Sequence, residues 1–401
     1  MNEMLTDDSA TSLPAAAWKR SFRAKLRAWF DAARRDLPWR RTRDPYAVWV
    51  SETMLQQTQV ATVTGYYTRF LAAFPDVASL AAADEADVLR RWEGLGYYRR
   101  ARQLHRAAQQ IVAEHGGRFP RDREQVRALP GIGRYTAGAI LSIAFDAQEP
   151  ILEANTIRLL SRLTALRASP QTPTSQALLW AWAEALVPAS EPGLFNQALM
   201  ELGALVCTPR NPACGECPVA GLCPTRRLGL QDVIPAPKAK PKFEDVREGA
   251  VIVRRRNTDV LLVRRGEKER WAGLWDFPRF SLEAETYRGA EAELAEKTRA
   301  ALGIDVVVGR RLHTLRHGVT RFRITLEAFA AEHRRGRLKP TGFAEARWFA
   351  PSALVVLPLT TPARRLSRVV LVDGSPAAAE PSKPRKRVRS NVFLARRPAA
   401  D

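Results

Sequence analysis

Long apolar runs are missing from this sequence of 401 residues. Its most apolar stretches, such as Thr136 to Phe145, fall well short of the roughly 18 residues that a membrane helix requires. The amino terminus opens with acidic and small polar residues, whereas a secretory signal would show a basic segment followed by an apolar run. We therefore expect a cytoplasmic protein that does not insert into a membrane.

Cysteine is also scarce, and all four cysteines lie in the array Cys207-x6-Cys214-x2-Cys217-x5-Cys223. This clustering argues against a disulfide framework and indicates that four thiolates converge on one inorganic centre. Zinc is the alternative, but structural zinc sites usually set two close ligand pairs well apart, so the spacing favours a 4Fe–4S cluster. The array resembles the cluster loop, here residues 207–223, of the endonuclease III superfamily of DNA glycosylases. We expect the cluster to have a structural or DNA-positioning role.

Basic residues, by contrast, are abundant: 63 Lys and Arg against 42 Asp and Glu give a formal net charge of +21. Such a surplus favours a polyanionic partner, and nucleic acid is favoured over an anionic membrane. Part of the charge lies in residues 383–389, within a tail (376–401) that we expect to be disordered. This tail either adds affinity for DNA or adds solubility, and the sequence leaves both open.

Hydrophobic periodicity divides the rest of the chain into a helical part and a mixed part. Residues 1–17 are expected to be disordered, residues 18–224 to be mainly helical, and residues 225–247, rich in Pro and Lys, to form an extended linker. Residues 248–375 are expected to be α+β. The predicted helices are 46–73, 84–93, 98–114, 122–129, 135–145, 154–165, 174–187, 194–206, 287–302 and 361–371, and the predicted strands are 249–255, 260–264, 320–328 and 346–349.

The segment 129–138 (LPGIGRYTAG) predicts a tight turn between two helices. Gly131 and Gly133 permit the turn and leave backbone N–H groups free at a helix start, where they can bind a phosphate. A simple turn is the alternative, but the segment resembles the helix-hairpin-helix DNA-binding element. Because backbone donors read no bases, the element would hold DNA without choosing a sequence.

Two glutamates are candidates for cleaving an N-glycosidic bond, which needs a proton for the departing base and a negative charge near the cationic sugar. Glu52 lies in an apolar context (WVSETML) that would raise its pKa, so it is the candidate general acid. Glu153 lies where a helix should begin, which favours its ionised form, so it is the candidate to stabilise the sugar cation. Taken alone, each glutamate is better explained as a surface residue or a helix cap, and only the surrounding motifs favour a catalytic role.

The surrounding motifs resemble those of the MutY-type adenine glycosylases over about residues 20 to 375. The matching motifs are LPWR (37–40), DPY (44–46), SETMLQQTQV (51–60), GLGYY (94–98) and FNQALMELGA (195–204). The resemblance implies a catalytic acid at Glu52 and support of the reaction centre by Tyr135 and Asn155. It also implies that Gln57 and Tyr97 wedge into DNA during base flipping. Trp39, Arg40 and Glu201 would form the adenine pocket.

Two departures from related patterns bear on the chemistry. Tyr135 occupies the position at which bifunctional members of the superfamily carry the lysine that forms a Schiff base. A phenol cannot form an imine, so we predict a monofunctional glycosylase. The family's Asp-Gly-Asn is Glu153-Ala154-Asn155 here, which moves the carboxylate outward by one methylene and changes the local turn. We expect an active enzyme nonetheless.

The second part of the chain resembles a Nudix domain, through Trp271 to Pro278 and Ala300 to Ile304. Lys297, Ala300 and Ala301 stand where its magnesium carboxylates would be, so phosphohydrolysis is not expected. The resemblance implies a Nudix-like recognition domain over the oxidised guanine. The family's Phe-Ser-His triplet aligns with Val319-Thr320-Arg321, and Thr320 and Arg321 are the lesion-contacting candidates.

Together these features imply a multidomain glycosylase: an all-α helix-hairpin-helix unit with an iron–sulfur loop, followed by an α+β Nudix-like unit. The partner would be double-stranded DNA containing adenine opposite 8-oxoguanine or guanine, bound by a monomer, with possible repair-protein contacts through the linker. Two alternatives remain open. One is a pyrimidine-lesion glycosylase with lyase activity, and the other is a mismatch-binding protein that has lost catalysis through Glu153.

Overall fold

The computed structural model describes residues 13–237, 242–256, 258–267, 269–319 and 321–372. The first of these ranges is helical. Its helices are α1 (Ala16–Ala33), α2 (Pro45–Leu55), α3 (Val60–Ala73), α4 (Val77–Ala82), α5 (Glu85–Arg91), α6 (Arg99–His115), α7 (Arg123–Ala128), α8 (Arg134–Phe145), α9 (Ala154–Leu163), α10 (Pro173–Leu186), α11 (Pro192–Leu205) and α12 (Pro224–Arg227). Short 3-10 turns span Pro38–Arg40 and Ala220–Leu222.

The first helix begins slightly earlier than the sequence predicted. Helix α1 begins at Ala16, so residues 16 and 17, expected to be disordered, are helical. The ring of Trp18 stacks on that of Phe22 with centroids 5.0 Å apart and meets Trp182 edge-on, and these contacts hold the first turn against α10. The tail at 376–401 and the first twelve residues lie outside the described residues.

The predicted helix 46–73 is two helices. The chain leaves α2 after Leu55 and enters α3 at Val60, and Gln57 between them has a left-handed φ of 59°. Nearly every side chain of α2 is buried, from Tyr46 to Met54, so this helix is apolar on all sides. Consequently any polar side chain on it, including Glu52, is removed from solvent.

Two hydrophobic cores divide the helical part. One is built from α2 to α8 around Trp49, Phe70 and Trp92. The other joins α1 and α9–α11 to the cysteine loop, around Phe22 and Leu160. Because α8 packs against both α2 and α11, and α11 packs against α9, a groove lies where the two cores meet.

The second part of the chain forms a mixed seven-stranded sheet. Its elements are β1 (Glu244–Arg254), β2 (Val260–Arg264), β3 (Trp275–Asp276), β4 (Arg279–Ser281), α13 (Tyr287–Leu302), β5 (Ile304–Val319), β6 (Phe322–Gly336), β7 (Glu345–Phe349) and α14 (Thr361–Val372). The strand order is β3-β2-β1-β6-β5, with β4 paired to β1 and β7 paired to β2. The β1–β6 pair is parallel and the others are antiparallel. Strand β5 was not predicted from the sequence.

The connector is shorter than the predicted linker 225–247. Residues 224–227 form α12, and Ile234 is buried, with its carbonyl accepting a hydrogen bond from Arg162 at 2.8 Å. Strand β1 already begins at Glu244 because its backbone pairs with β6 from that residue on. Proline at 235, 237 and 241 therefore marks only the middle of the predicted segment.

The two parts of the chain touch directly. Arg364 on α14 binds Glu93 through two hydrogen bonds of 2.6 and 2.9 Å, and Leu274 joins the core around Trp49. Arg102 on α6 donates to the carbonyl of Ala272. In the ranges that the structure describes, no helix combines the length and apolarity needed to cross a bilayer.

Candidate active site and cluster loop

A cavity of about 600 Å³ opens in the groove between α2, α8, α9 and α11. It brings together eight residues that the sequence singled out. They are Trp39, Arg40, Glu52, Gln57, Tyr135, Glu153, Asn155 and Glu201. Side chains from segments more than a hundred residues apart in the chain therefore face one space that can hold a purine-sized ligand.

Glu52 lies at the base of this cavity and is only 4% exposed. The hydroxyl of Tyr135 donates a hydrogen bond to its Oε2 at 2.5 Å. Burial raises the pKa of Glu52 to about 7, the Tyr135 hydrogen bond lowers it, and the charge of Glu153 raises it. At neutral pH the carboxyl therefore holds a proton for a substantial fraction of the time, as a general acid must.

Glu153 is the N-cap of α9, as the sequence predicted. Its carboxylate accepts hydrogen bonds from the backbone N–H groups of Asn155 at 2.8 Å and Thr156 at 2.9 Å. We expected the helix start to keep this carboxylate ionised. Burial instead raises the pKa of Glu153, and the two N–H groups oppose this without offsetting it.

Two glycines allow α9 to begin this close to the cavity. A Cβ on Gly138 of α8 would lie 2.2 Å from the carbonyl oxygen of Pro150, and one on Gly203 of α11 would lie 2.7 Å from the Cβ of Asn155. Each glycine therefore lets the segment that carries Glu153 lie directly against a neighbouring helix.

Asn155 is tied to the cysteine loop through one guanidinium. Arg158 donates to Oδ1 of Asn155 at 2.8 Å and to the carbonyls of Cys207 and Gly203, each at 2.7 Å. The first turn of α9 and the start of the loop are thus held by the same side chain.

Glu201 is buried beneath the cavity and accepts hydrogen bonds from two arginines. Arg35 and Arg40 each bind both of its carboxylate oxygens. Burial alone would raise the pKa of Glu201, but the hydrogen bonds from Arg35 and Arg40 lower it to about 2, so it is ionised. Sequence reasoning missed Arg35, which precedes the LPWR motif without any distinguishing pattern.

Gln57 and Tyr97 lie on two turns near each other but face different cavities. Both have left-handed backbones, with φ of 59° and 48°, and both side chains are exposed. Tyr97 lines a second cavity of about 410 Å³ between the two parts of the chain, together with Trp271 and His317. Of these three, only Tyr97 was among the predicted site residues.

The structure describes only one member of the predicted lesion-contacting pair. Thr320 lies outside the described residues. Arg321 follows the β5–β6 turn and faces Glu244 at 3.8 Å, while His317 and Val319 line the cavity between the units. Burial and the nearby charge of Arg279 lower the pKa of His317 to about 4, so this imidazole is neutral at physiological pH.

The glycine turn has the geometry expected of a phosphate site. Gly131 has a φ of 81°, and Gly133 caps α8 with no side-chain hydrogen bond to the first helical N–H groups. A Cβ on Gly133 would meet nothing within 4 Å, so this helix start is open. Tyr135 is the second residue of the same helix, so the open helix start and the cavity residue lie in its first turn.

The four cysteines line one small enclosed cavity with Leu159 and Arg162, and Arg162 donates to the Sγ of Cys207 at 3.2 Å. Four thiols that line one cavity are the donor set that an iron–sulfur cluster takes, with one thiolate to each iron, so the loop fits such a cluster.

Family comparisons agree with this division of the chain. Residues 50–185 match the HhH-GPD superfamily of base excision DNA repair proteins. Residues 207–223 match the iron–sulfur binding domain of endonuclease III, which confirms the predicted iron–sulfur cofactor. Residues 249–368 match the NUDIX domain. The predicted fold class, a helical glycosylase unit followed by a Nudix-like unit, is confirmed.

Individual relatives extend the match over most of the chain. The adenine DNA glycosylase of Homo sapiens is 35% identical over 402 residues, covering 87% of this chain and 74% of the relative. That of Schizosaccharomyces pombe is 32% identical and covers 74% of this chain and 79% of the relative. Among solved structures, a thermostable thymine-DNA glycosylase is 29% identical, covers 53% of this chain and 98% of its own, and has a TM-score of 0.49. The chain belongs to the adenine DNA glycosylase family and is a DNA-repair glycosylase.

Proposed function

We propose that this enzyme hydrolyses the N-glycosidic bond of adenine mispaired with 8-oxoguanine or guanine in duplex DNA, without cutting the strand. The observation that carries the proposal is the placement of Glu52 and Glu153 in one cavity, where the phenol of Tyr135 lies beside Glu52 and no lysine is among the described residues that line the cavity. The relatives, which are named adenine DNA glycosylases, support the choice of base.

In this reaction Glu52 gives its proton to N7 of an extruded adenine. The C1′–N9 bond breaks, its electrons leave with the base, and the sugar becomes an oxocarbenium ion. In its ionised form, which two backbone N–H groups favour against the effect of burial, the carboxylate of Glu153 stabilises this cation. Water then adds to C1′ and releases a proton, which leaves an abasic site.

Around this centre the remaining residues would hold the base and the DNA. Trp39 offers a buried aromatic wall, and Glu201 fixes the guanidinium of Arg40 at the cavity lining. The open start of α8 at Gly133 would bind a phosphate of the strand that carries the adenine. The four cysteines would hold a 4Fe–4S cluster that stiffens the end of the helical unit.

The base opposite adenine would lie in the second cavity. Tyr97, one predicted wedge residue, contributes its exposed ring from the helical unit, while His317 contributes a neutral imidazole from β5. A neutral ring can both donate and accept hydrogen bonds, which suits the edge of an oxidised purine. We propose His317, in place of Arg321, as the side chain of the Nudix-like unit that contacts this base.

Single-turnover assays on duplexes with adenine opposite 8-oxoguanine, guanine or cytosine test the proposal. We expect base release from the first two, and strand breaks only after alkali. Glu52→Gln should abolish release and leave duplex binding intact, because the amide cannot donate the proton but keeps the same shape.

Glu114→Gln is the matched control, since Glu114 is exposed on α6 and contacts only Gln110 among the hydrogen bonds described. It should cleave at the wild-type rate. Strand breaks without alkali would favour the lyase alternative. Tight mispair binding by the wild type without base release would favour the mismatch-binding alternative, and full activity of Glu52→Gln would exclude Glu52 as the acid.

A further inference from the structure

Arg100 is an arginine on α6 that is only 8% exposed and is bound almost entirely by backbone oxygens. Its guanidinium donates six hydrogen bonds. The acceptors are the carbonyls of Thr53 (2.8 Å), Met54 (2.9 Å), Gln56 (2.5 Å), Leu95 (3.3 Å) and Gly96 (3.2 Å) and the hydroxyl of Thr58 (3.2 Å). Burial lowers the pKa of Arg100 to about 10, so the group is charged at neutral pH.

One side of this guanidinium binds carbonyl groups at the carboxyl end of α2. Nη1 binds the carbonyls of Thr53 and Met54, which lack intrahelical N–H donors because α2 ends at Leu55, and the carbonyl of the C-cap residue Gln56. A positive charge at a helix carboxyl end is also favoured by the helix dipole. Arg100 thereby fixes the direction in which the chain leaves the helix that carries Glu52.

The other side reaches a second turn. Nη2 binds the carbonyls of Leu95 and Gly96 and the hydroxyl of Thr58. The guanidinium therefore joins residues 53–58 to residues 95–96. Gln57 and Tyr97, the two predicted wedge residues, each lie at or beside one of these turns in a left-handed conformation. Non-glycine residues keep such a backbone only when the surrounding contacts enforce it.

Arg100 also contacts one wedge ring itself. Its Cζ lies 5.6 Å from the ring centroid of Tyr97 and 5.3 Å from that of Trp92. Tyr97 is 54% exposed, so this cation–π contact acts on a ring that otherwise faces solvent.

We propose that Arg100 is a positioning residue for base extrusion: it locks the Gln57 turn and the Tyr97 turn at a fixed separation, so that both wedges enter the duplex together. The inference rests on the proposed function and extends it to a residue that lines neither cavity. Lysine cannot replace Arg100, because one ammonium offers three donors and cannot span two sets of carbonyls.

Arg100→Lys tests this inference, and Arg23→Lys is a closely matched control. Arg23 likewise binds three carbonyls at a helix end, those of Ala185, Leu186 and Val187, but lies far from both wedge turns in the chain and outside both cavities. Two substrates are compared under single-turnover conditions. One is a duplex with adenine opposite 8-oxoguanine, and the other carries the same adenine in a small unpaired bubble.

We expect Arg100→Lys to slow excision from the duplex by about 10- to 100-fold and to act on the bubble within about threefold of the wild type. In a Glu52→Gln background, the fluorescence rise of 2-aminopurine at the target position should be lost with Arg100→Lys and kept with Arg23→Lys. Circular dichroism and the iron–sulfur absorbance check that each variant is folded.

Equal losses on duplex and bubble would overturn the inference, since they would place the defect in folding or chemistry. Normal 2-aminopurine extrusion by Arg100→Lys would overturn it as well. If the wild type released adenine from neither substrate, the proposed function would fail by itself, and the 2-aminopurine measurement would still decide the role of Arg100.

Discussion

The hydroxyl of Tyr135 donates its hydrogen bond to the buried carboxylate of Glu52. A hydrogen bond to a carboxylate favours the ionised form, so Tyr135 lowers the pKa that burial has raised. Burial and the Tyr135 hydrogen bond therefore have opposite effects on the pKa of the general acid, and together they set its value.

Tyr135→Phe should therefore raise the pKa of Glu52 further. Because the acid must be protonated, excision declines as pH rises through about 7 in the wild type. This decline is the basic limb of the pH–rate profile, and in the variant its midpoint should move up by about one pH unit. Rates measured from pH 6 to 9 check the shift, and Tyr46→Phe, which loses a hydrogen bond to Phe74 outside the cavity, should leave the limb in place. A basic limb whose midpoint moved to lower pH would contradict the assignment of Glu52 as the general acid.

Glu52 should also make stability depend on pH. Its folded pKa of about 7 exceeds the roughly 4.3 of an unfolded glutamate, so the folded protein keeps a proton that the unfolded chain releases. Stability is then highest below pH 4 to 5 from this group and falls as pH rises to 7. Glu52→Gln removes the effect and should be more stable than the wild type at pH 8, by on the order of 2 kcal/mol.

Denaturant titrations at pH 5 and pH 8 measure this difference. The amount by which the free energy of unfolding of Glu52→Gln exceeds that of the wild type should be much smaller at pH 5. An advantage of the same size at both pH values would indicate a packing effect unrelated to ionisation.

Glu153 can be tested by separating its charge from its capping role. Glu153→Gln can still accept a backbone hydrogen bond but carries no negative charge, so we expect excision to fall about 100-fold with mispair binding unchanged. Glu153→Asp keeps the charge and is a favourable N-cap, so it should remain within about tenfold of the wild type. Single-turnover rates and binding isotherms on the same duplex check both. If the glutamine variant kept the wild-type rate, the sugar cation would be stabilised by another group.

The placement of the two carboxylates was accessible from sequence because each lies in a local pattern. Glu52 sits in an apolar helix, and Glu153 stands one residue before a helix, where a side chain can cap. The break at Gln57 was not accessible, because neither proline nor glycine interrupts residues 56–59 and nothing there marks a left-handed backbone.

In the Nudix-like unit other features limited what the sequence could predict. Strand β5 was missed because register shifts near 305–313 interrupt its alternation and many of its side chains are exposed at the sheet edge. Matching the triplet at 319–321 by residue type could not reveal which side chains face the cavity. That depends on where the hairpin turns, and the turn leaves His317 on the cavity side.

Glu201 provides the last prediction, since its charge is buried between two arginines. Glu201→Gln leaves Arg35 and Arg40 without a counter-charge, and removing one partner of a buried pair is costly. Because Arg35 is about one-third exposed, we expect a loss of roughly 2 to 3 kcal/mol at pH 7. The pKa of Glu201 is lowered to about 2, so its contribution is present above the unfolded value near 4.3 and lost as pH falls toward 2.

Urea denaturation of Glu201→Gln and the wild type should therefore show a gap at pH 7 that narrows by pH 3. Glu191→Gln is the control, because Glu191 forms an exposed pair with Arg27 and should change stability by less than about 1 kcal/mol. A Glu201→Gln protein as stable as the wild type at pH 7 would show that the two arginines do not need this carboxylate. The floor of the cavity would then be held by the packing of Trp39 and its neighbours alone.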